Sequence, residues 1–181
     1  MVAAPQRAIL YEESEDPNGQ GSAFEGNVIW QVVPDEASDA PSIRARIEVP
    51  DRQLTLIFTI KKNSDQTLPA SHLVELLFEI PDDFPGQGIA GVPGLILKPS
   101  EQARGEPLRG ATVRVAEGYF WVALSAAPED ASRNLTLLRQ QPWFDIPILY
   151  GNGKRAILTM EKGSPGTDAF AKVFAEGSTP G

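Results

Sequence analysis

The chain has 181 residues, 41% of them hydrophobic and 22% charged, a composition typical of one ordinary globular domain. Its 24 acidic and 16 basic residues give a net charge of −8, which argues against nucleic-acid binding through a general basic surface. It contains no cysteine and one histidine, so disulfides, thiolate nucleophiles and histidine-clustered metal sites are excluded within one chain. No segment reaches the roughly 18 consecutive apolar residues of a membrane span, so we predict no transmembrane segment.

The N-terminal segment MVAAPQRAIL has neither a charged n-region nor an apolar h-region, so we expect no signal peptide in this chain. The segment is equally typical of a mature N-terminus and of a linker inside a longer protein. The first two strands are predicted over residues 7–12 and 27–33. Polar loops are predicted over residues 13–26 and 34–41.

The first polar loop contains part of a calcium-binding pattern. Asp16, Asn18 and Gln20 alternate and Gly21 follows, as in a helix–loop–helix calcium site. Such a site needs a glutamate at the twelfth position and a helix at both ends. Here the twelfth residue is Asn27, and both flanking segments are predicted strands. We therefore interpret the segment as a turn and predict no metal and no cofactor.

Alternation of apolar and polar residues dominates the middle of the chain. Residues 43–49 and 54–61 alternate on either side of Pro50-Asp51, which predicts a tight connection between two strands. Later strands are predicted over residues 73–80, 94–98, 112–116, 119–124, 146–150 and 155–160. The last two are joined by Gly151-Asn152-Gly153, whose residues tolerate positive φ and favour a hairpin.

Two segments have helical patterns. PEDASRNLTLLRQ begins with a proline and two acids and ends near Arg139, as the helix dipole favours. GTDAFAKVFAEG carries an apolar stripe of Phe170, Val173 and Phe174. We predict a mainly β fold, an antiparallel β-sandwich of the immunoglobulin or jelly-roll-like kind with two short helices. It would form one domain over residues 1–176, followed by a flexible tail over residues 177–181.

His72 is the one histidine on which a hydrolase mechanism could depend. It precedes an apolar strand and shares the phase of Val74, so we expect it to be buried with its charged form disfavoured. Ser71 is adjacent and is expected to point to the opposite side, and no G-x-S-x-G motif is present. A structural histidine explains the pattern better than catalysis does. The acid pairs Asp82-Asp83 and Glu129-Asp130 likewise suit a turn and a first helical turn.

Aromatic residues cluster at two places, and these form the candidate interaction surface: Tyr119, Trp121, Trp143 and Phe144. In a strand, Tyr119 and Trp121 point to one side. Packing in the core or against another layer is one explanation. A ligand platform or a protein interface is the other. Asn134-Leu135-Thr136 is a formal glycosylation sequon, but it lies in a predicted helix and we discount it.

The segment VPGLILKPSEQARGEPLRGATVRVAEGYFWVALSAAPEDASRNLTLL resembles the invasion-associated locus B family of bacterial secreted proteins. The resemblance covers residues 70–176 and rests on the order of elements, which here falls at residues 92–98, 113–124, 129–138, 144–160 and 166–174. The paired cysteines of that family, near Ala116 and Tyr119, are absent, and residues 1–40 have no counterpart. The chain would therefore be a divergent, cysteine-less relative.

The resemblance implies a periplasmic or secreted bacterial envelope domain without enzymatic activity, linked in some pathogens to host-cell entry. We therefore expect a non-enzymatic domain that binds a protein or another envelope component. One alternative is a small-ligand or carbohydrate-binding domain that uses Trp121 or Trp143 as a stacking platform. Another is a hydrolase that uses His72. The partner's identity and the oligomeric state are left open by the sequence.

Overall fold

The computed structural model describes residues 3–14, 16–34 and 40–174. The two helices are α1 (Pro128–Gln140) and α2 (Gly163–Val173). The predicted tail over residues 177–181 lies outside the described residues. The strands are β1 (Gln6–Glu12), β2 (Ser22–Val33), β3 (Ser42–Val49), β4 (Leu54–Lys62), β5 (Ala70–Glu79), β6 (Ile89–Gly91), β7 (Ile96–Lys98), β8 (Glu106–Pro107), β9 (Gly110–Ala116), β10 (Tyr119–Ser125), β11 (Trp143–Tyr150) and β12 (Arg155–Glu161).

All twelve of these strands belong to one antiparallel sheet that curls into a half-barrel. The order of hydrogen-bonded neighbours is β8-β7-β11-β12-β1-β2-β3-β4-β5-β10-β9, and β6 pairs with β11. The prediction of a mainly β, antiparallel fold with two helices is confirmed. The immunoglobulin or jelly-roll-like sandwich is not confirmed, because hydrogen bonds connect every described strand into a single sheet.

Alternation along each strand decides which side chains fill the half-barrel. In β3, Ile43, Ala45 and Ile47 point inward and are fully buried, and the arginines between them are exposed. The register pairs Ala45 with Phe58 of β4, so apolar residues of neighbouring strands meet on the same inner face. A one-residue slip would turn all of them outward, so burial of the inner face specifies the register.

Several boundaries differ from the sequence prediction. The strand predicted from residue 27 begins at Ser22, so residues 22–26 belong to β2 rather than to a loop. Apolar and polar residues alternate only weakly here, because much of this stretch is exposed. Hydrogen bonding to β1, rather than burial, extends the strand. The short strands β6 and β8 were not predicted, since two or three residues cannot show a period. The hairpin at Gly151-Asn152-Gly153 is confirmed, with Gly153 at φ +85°.

Helix α2 docks onto the inner face through the predicted apolar stripe. Phe170 is 1% exposed, and its ring lies 5.4 Å from that of Trp30 and 5.8 Å from that of Phe144. Phe174 is also buried, and Val173 packs at the edge of the same core. Gly166 allows this close approach, because a Cβ there would lie 3.0 Å from the Trp30 Nε1 atom.

The two edges of the sheet are joined by one continuous stretch of chain. Pro107 of β8 pairs with β7, and Gly110 begins β9, which pairs with β10. These two residues are three positions apart and therefore lie at most about 11 Å from each other. Asn134 of α1 holds the junction: its Oδ1 accepts the Arg109 N–H at 2.8 Å, and its Nδ2 donates to the Arg109 carbonyl at 2.9 Å.

We expect Asn134→Ala to lower the free energy of unfolding by about 1–3 kcal/mol, because it leaves the Arg109 N–H without a partner and removes one of the two bonds to the Arg109 carbonyl, where Asn134 is now 1% exposed. Urea unfolding followed by tryptophan fluorescence measures this change. Thr136→Ala is the matched control on the same helix: its exposed hydroxyl bonds only to the Ser132 carbonyl, and the change should stay within about 0.5 kcal/mol. Equal midpoints for both variants would contradict the role given to Asn134.

Candidate functional site

Tyr119 and Trp121 lie on the outer face of β10 beside two exposed apolar residues. The register places Trp121 between Val113 of β9 and Glu75 of β5, and Tyr119 opposite Leu77 of β5. Leu77 and Val113 expose 40% and 50% of their surface. Tyr119, Trp121, Leu77 and Val113 are called the outer patch from here on. Large apolar side chains that gather on an exposed face mark a surface that other molecules contact.

Hydrogen bonds fix the two aromatic side chains of the outer patch. The Trp121 indole N–H donates to the Tyr119 hydroxyl at 3.0 Å, and that hydroxyl donates to a Glu75 oxygen at 3.0 Å. Lys61 lies 3.3 Å from the same Glu75 oxygen. Burial, together with the bond to Glu75, raises the pKa of Tyr119. The two rings are perpendicular, with an interplanar angle of 88°, so they do not form a coplanar row of stacking platforms.

The other half of the predicted interaction surface lies elsewhere. Phe144 is fully buried and contacts Trp30, Phe58 and Phe170, because the alternation of β11 points it inward. It belongs to the core rather than to a surface. Trp143 points outward and is half-buried, but six strands separate β11 from β10 in the sheet. The structure thus brings together Tyr119 and Trp121 and leaves Trp143 apart from them.

A second apolar area lies on the outer face of β1, β11 and β12. It is a groove of about 720 Å³ with exposed Leu149 and Ile157 on its floor. Arg155 at its rim is hydrogen-bonded to Glu13, which lowers the pKa of that carboxyl group. The sequence did not point to this groove, since its residues come from three separate strands and a loop. The lining residues are Tyr11, Glu12, Glu13, Pro93, Pro147, Ile148, Leu149, Arg155, Ala156 and Ile157.

A partly buried ionic cluster joins the β3–β4 turn to the β11–β12 hairpin. Arg52 donates through both Nε and Nη2 to one oxygen of Glu12, and the Tyr150 hydroxyl donates to the other at 2.6 Å. Burial and the bond to Glu12 raise the pKa of Tyr150. The Arg52 guanidinium also lies 4.3 Å from the centre of the Phe24 ring. The charged groups of Arg52 and Glu12 and the Tyr150 hydroxyl are bonded to one another, so we interpret the cluster as a structural link between strands.

Two segments that resembled sites in the sequence are turns. The Asp16 carboxylate accepts the Asn18 N–H at 3.0 Å, and the Gly19 N–H donates to the Asp16 carbonyl, which confirms the interpretation as a turn. Asp82 and Asp83 lie in a turn closed by the bond from Phe84 N–H to the Pro81 carbonyl, beside a cavity of about 960 Å³. Within residues 3–14, 16–34 and 40–174, no group of three or more His, Cys, Asp or Glu side chains could hold a metal.

His72 lies where the sequence predicted, facing the core at the start of β5. Its ring is 5.3 Å from that of Phe174, and burial and then Lys62 lower its pKa to about 4. Contrary to expectation, the Ser71 hydroxyl reaches the His72 Nδ1 atom at 3.1 Å. No carboxylate in the described part of the chain contributes to the pKa of His72. The pair thus lacks the acid that would orient a general base.

Lys162 is a buried cation that the sequence analysis missed. It precedes α2, is 1% exposed, and donates from Nζ to the Leu138 carbonyl near the C-terminus of α1. Its Nζ lies 4.0 Å from the centre of the Phe170 ring. The ring and the helix C-terminus favour the charged form, whereas burial opposes it. Burial dominates and lowers the pKa of Lys162 to about 7.

No described helix is long and apolar enough to cross a membrane. No protein-family model, curated protein or solved structure matches the chain. The resemblance to the invasion-associated locus B family therefore stays a prediction that rests on the residues quoted above.

We expect acid to destabilise the protein through His72. Its pKa is about 4 in the folded chain and 6.5 ordinarily, so the unfolded state binds the extra proton between these values. Stability should fall as the pH decreases through this window, by about 3 kcal/mol at most. His72→Gln should remove this part of the acid response. Because the chain has one histidine, a single imidazole NMR signal reports its pKa, and titration near 6.5 would contradict burial.

Lys162 should make the stability of the protein depend on pH in the neutral to alkaline range. Because its folded pKa is about 7 and its ordinary value is 10.5, the unfolded state binds more protons between these values. Stability should therefore rise with pH across this window, by an amount on the order of 4 kcal/mol. Urea unfolding at several pH values measures the slope. Lys162→Met should flatten it, whereas Lys172→Met, which changes an exposed lysine in the last turn of α2, should keep it.

Proposed function

We propose that this chain is a non-enzymatic binding domain that recognises a protein partner through the outer patch. The single observation that carries the proposal is the exposure of Leu77 and Val113 beside a tyrosine and a tryptophan held by hydrogen bonds. Tyrosine and tryptophan are enriched at interfaces, because they supply large rigid contact areas with a polar end. Side chains that are already ordered lose little freedom on binding.

The interior supports a binding role over a catalytic one. His72 faces the core with Ser71 and without a carboxylate, and its depressed pKa leaves little imidazolium at neutral pH. The net charge of −8 argues against nucleic acid as the partner. A protein or another envelope component is the class of partner that agrees with these features.

We assign the domain to the bacterial periplasm or the extracellular space, and the support for this is the resemblance at residues 70–176. The sandwich-like class also remains a proposal, which rests on the alternating strands and frequent turns of the sequence. In its favour, the rings of Phe58 and Phe144 lie 5.4 Å apart although four strands separate β4 from β11 in the sheet. The two flanks of the half-barrel therefore face each other across one core, as the two layers of a sandwich do.

The second candidate function is binding of a small apolar ligand in the groove on β1, β11 and β12. Its volume of about 720 Å³ and its apolar lining match the size and character of small-ligand sites. A carbohydrate platform has less support, since Trp121 and Trp143 lie on separate parts of the sheet and the Trp121 indole N–H already bonds to Tyr119.

The two apolar areas provide a matched pair of variants. Leu77 and Leu149 are both strand leucines on the outer face, with 40% and 39% exposure. Purified domain carrying Leu77→Arg should lose at least tenfold in affinity for a partner captured by the wild type, whereas Leu149→Arg should retain it. Affinity is measured by calorimetry after capture from an envelope extract of the native cell.

A loss of affinity in Leu149→Arg alone would show that the groove, and not the outer patch, binds the partner. If the wild type bound no partner saturably, the proposal would be overturned. Fractionation of the native cell, with an antibody against this chain, tests the location separately. The chain should be recovered in the periplasmic or extracellular fraction, and recovery in the cytoplasm would overturn that assignment.

A further inference from the structure

The polar groups of the outer patch are already bonded to one another. The Trp121 N–H donates to the Tyr119 hydroxyl, and that hydroxyl donates to the Glu75 carboxylate. The most exposed side chains of the patch, Leu77 and Val113, are apolar. The patch by itself therefore favours an apolar side chain of the partner, and the charges around the patch decide what may flank that side chain.

An acidic cavity begins where the outer patch ends. Leu77 belongs to the patch, and Glu79, two residues later on β5, lines the cavity of about 960 Å³ and points to the same face of the strand. Gly118 lines the cavity too, and its carbonyl accepts the Phe78 N–H at 2.8 Å. Tyr119 of the patch follows Gly118 directly. The patch and the cavity are therefore neighbours on both β5 and β10.

Four carboxylates and no basic side chain line this cavity: Glu79, Asp82, Asp83 and Glu117. All four are exposed, and within the described residues none of them forms an ion pair. Other strand glutamates, such as Glu75, pair with a lysine or an arginine. Carboxylates without such partners create a negative potential that attracts cationic groups to this end of the sheet.

The spread of these carboxylates suits several cationic side chains rather than one metal ion. In the part of the chain that the structure describes, no three of them converge closely enough to hold a metal. A divalent metal ion needs its oxygen ligands at about 2.0–2.6 Å from one point. Carboxylates placed separately around a wide opening instead match the spaced positive charges of lysine and arginine side chains.

The arginines of the neighbouring strands do not neutralise the cavity. Arg114 follows Val113 of the outer patch along β9 and points to the opposite face of the sheet. Arg44 lies on β3, two strands from β5 and three from β10. Arg46 of the same strand is bonded to Glu48 at 2.8 Å. The charge beside the patch at this end is therefore negative.

We propose that the partner segment bound by the outer patch is basic: it places a large apolar side chain against Leu77 and Tyr119, and lysine or arginine side chains in the acidic cavity. This inference rests on the proposed binding function and names the class of its partner. Leu77 and Glu79 are about 7 Å apart, which is two residues of an extended segment. A basic residue of the partner therefore lies within a few positions of the apolar one. Complementary charge supplies specificity and fast association.

Selection from a library of random short peptides displayed on phage tests the class of partner. The wild-type domain should enrich peptides that carry lysine or arginine close to a large apolar residue. The most enriched peptide, made synthetically, should bind more weakly as the salt concentration rises, because salt screens the charges. Enrichment of peptides without basic residues, or no enrichment at all, would overturn the proposal.

Neutral variants of the carboxylates locate the contact. Glu79→Gln with Glu117→Gln should lower the affinity for the synthetic peptide at least tenfold in calorimetry. The matched control, Glu129→Gln with Asp168→Asn, removes two exposed charges from α1 and α2 and should retain the affinity. Unchanged thermal midpoints show that both double variants are folded. Equal affinities for the two of them would contradict the role of the cavity.

The apolar half of the contact needs its own pair of variants. Leu77→Ala should lower the affinity for the peptide at least threefold, whereas Leu149→Ala, in the groove, should not. Peptide binding that is insensitive to Leu77→Ala would separate the cavity from the outer patch and overturn the proposal. Suppose instead that the partner captured from the envelope is lost in Leu77→Arg but retained by Glu79→Gln with Glu117→Gln. The proposed binding function would then stand, and the basic class of partner would be wrong.

Discussion

The packing of Trp30 against Phe58, Phe144 and Phe170 is the interaction on which the rest of the structure depends. The three rings lie 6.2, 6.0 and 5.4 Å from the Trp30 ring and come from β4, β11 and α2. One indole therefore joins both flanks of the curled sheet to the last helix. Its N–H donates to the Glu161 carbonyl at 2.9 Å, so its polar atom is satisfied inside the core. Buried aromatic side chains contribute a large part of the packing energy of a protein core.

Around that cluster, buried polar side chains fix the positions of elements whose orientation apolar packing alone does not specify. Lys162 connects the C-terminus of α1 to the start of α2, and Asn134 connects α1 to the junction between β8 and β9. Apolar contacts are not directional, whereas each of these bonds fixes one geometry. The interior is pH-sensitive as a result, because the buried Lys162 and the half-buried His72 both have pKa values below their ordinary ones.

Large side chains fill the inner face, so the proposed recognition involves the outer surface. That surface is divided: one apolar area lies on β5, β9 and β10, and the other lies on β1, β11 and β12. Between them, β2 and β3 present charged side chains such as Glu25, Arg44 and Arg46. The outer patch reaches the edge of the sheet through Val113 of β9, whereas the groove lies on the opposite flank of the sheet.

The sequence by itself determined the mainly β, antiparallel fold, the two helices and the inward orientation of His72, which is half-buried. Each depends on a local period or a breaker, such as the alternation around Ile47 or the proline that begins α1. It could not decide between one curled sheet and two packed sheets, because both demand the same alternation. Nor could the sequence show that Phe144 is buried whereas Tyr119 lies on the outer face. Adjacent aromatic residues of a strand point to opposite faces, and the sequence does not show which face is covered. Only tertiary structure made the Asn134 clamp, the Lys162 contact and the open edge at β9, because each joins residues distant in sequence or depends on where the sheet stops.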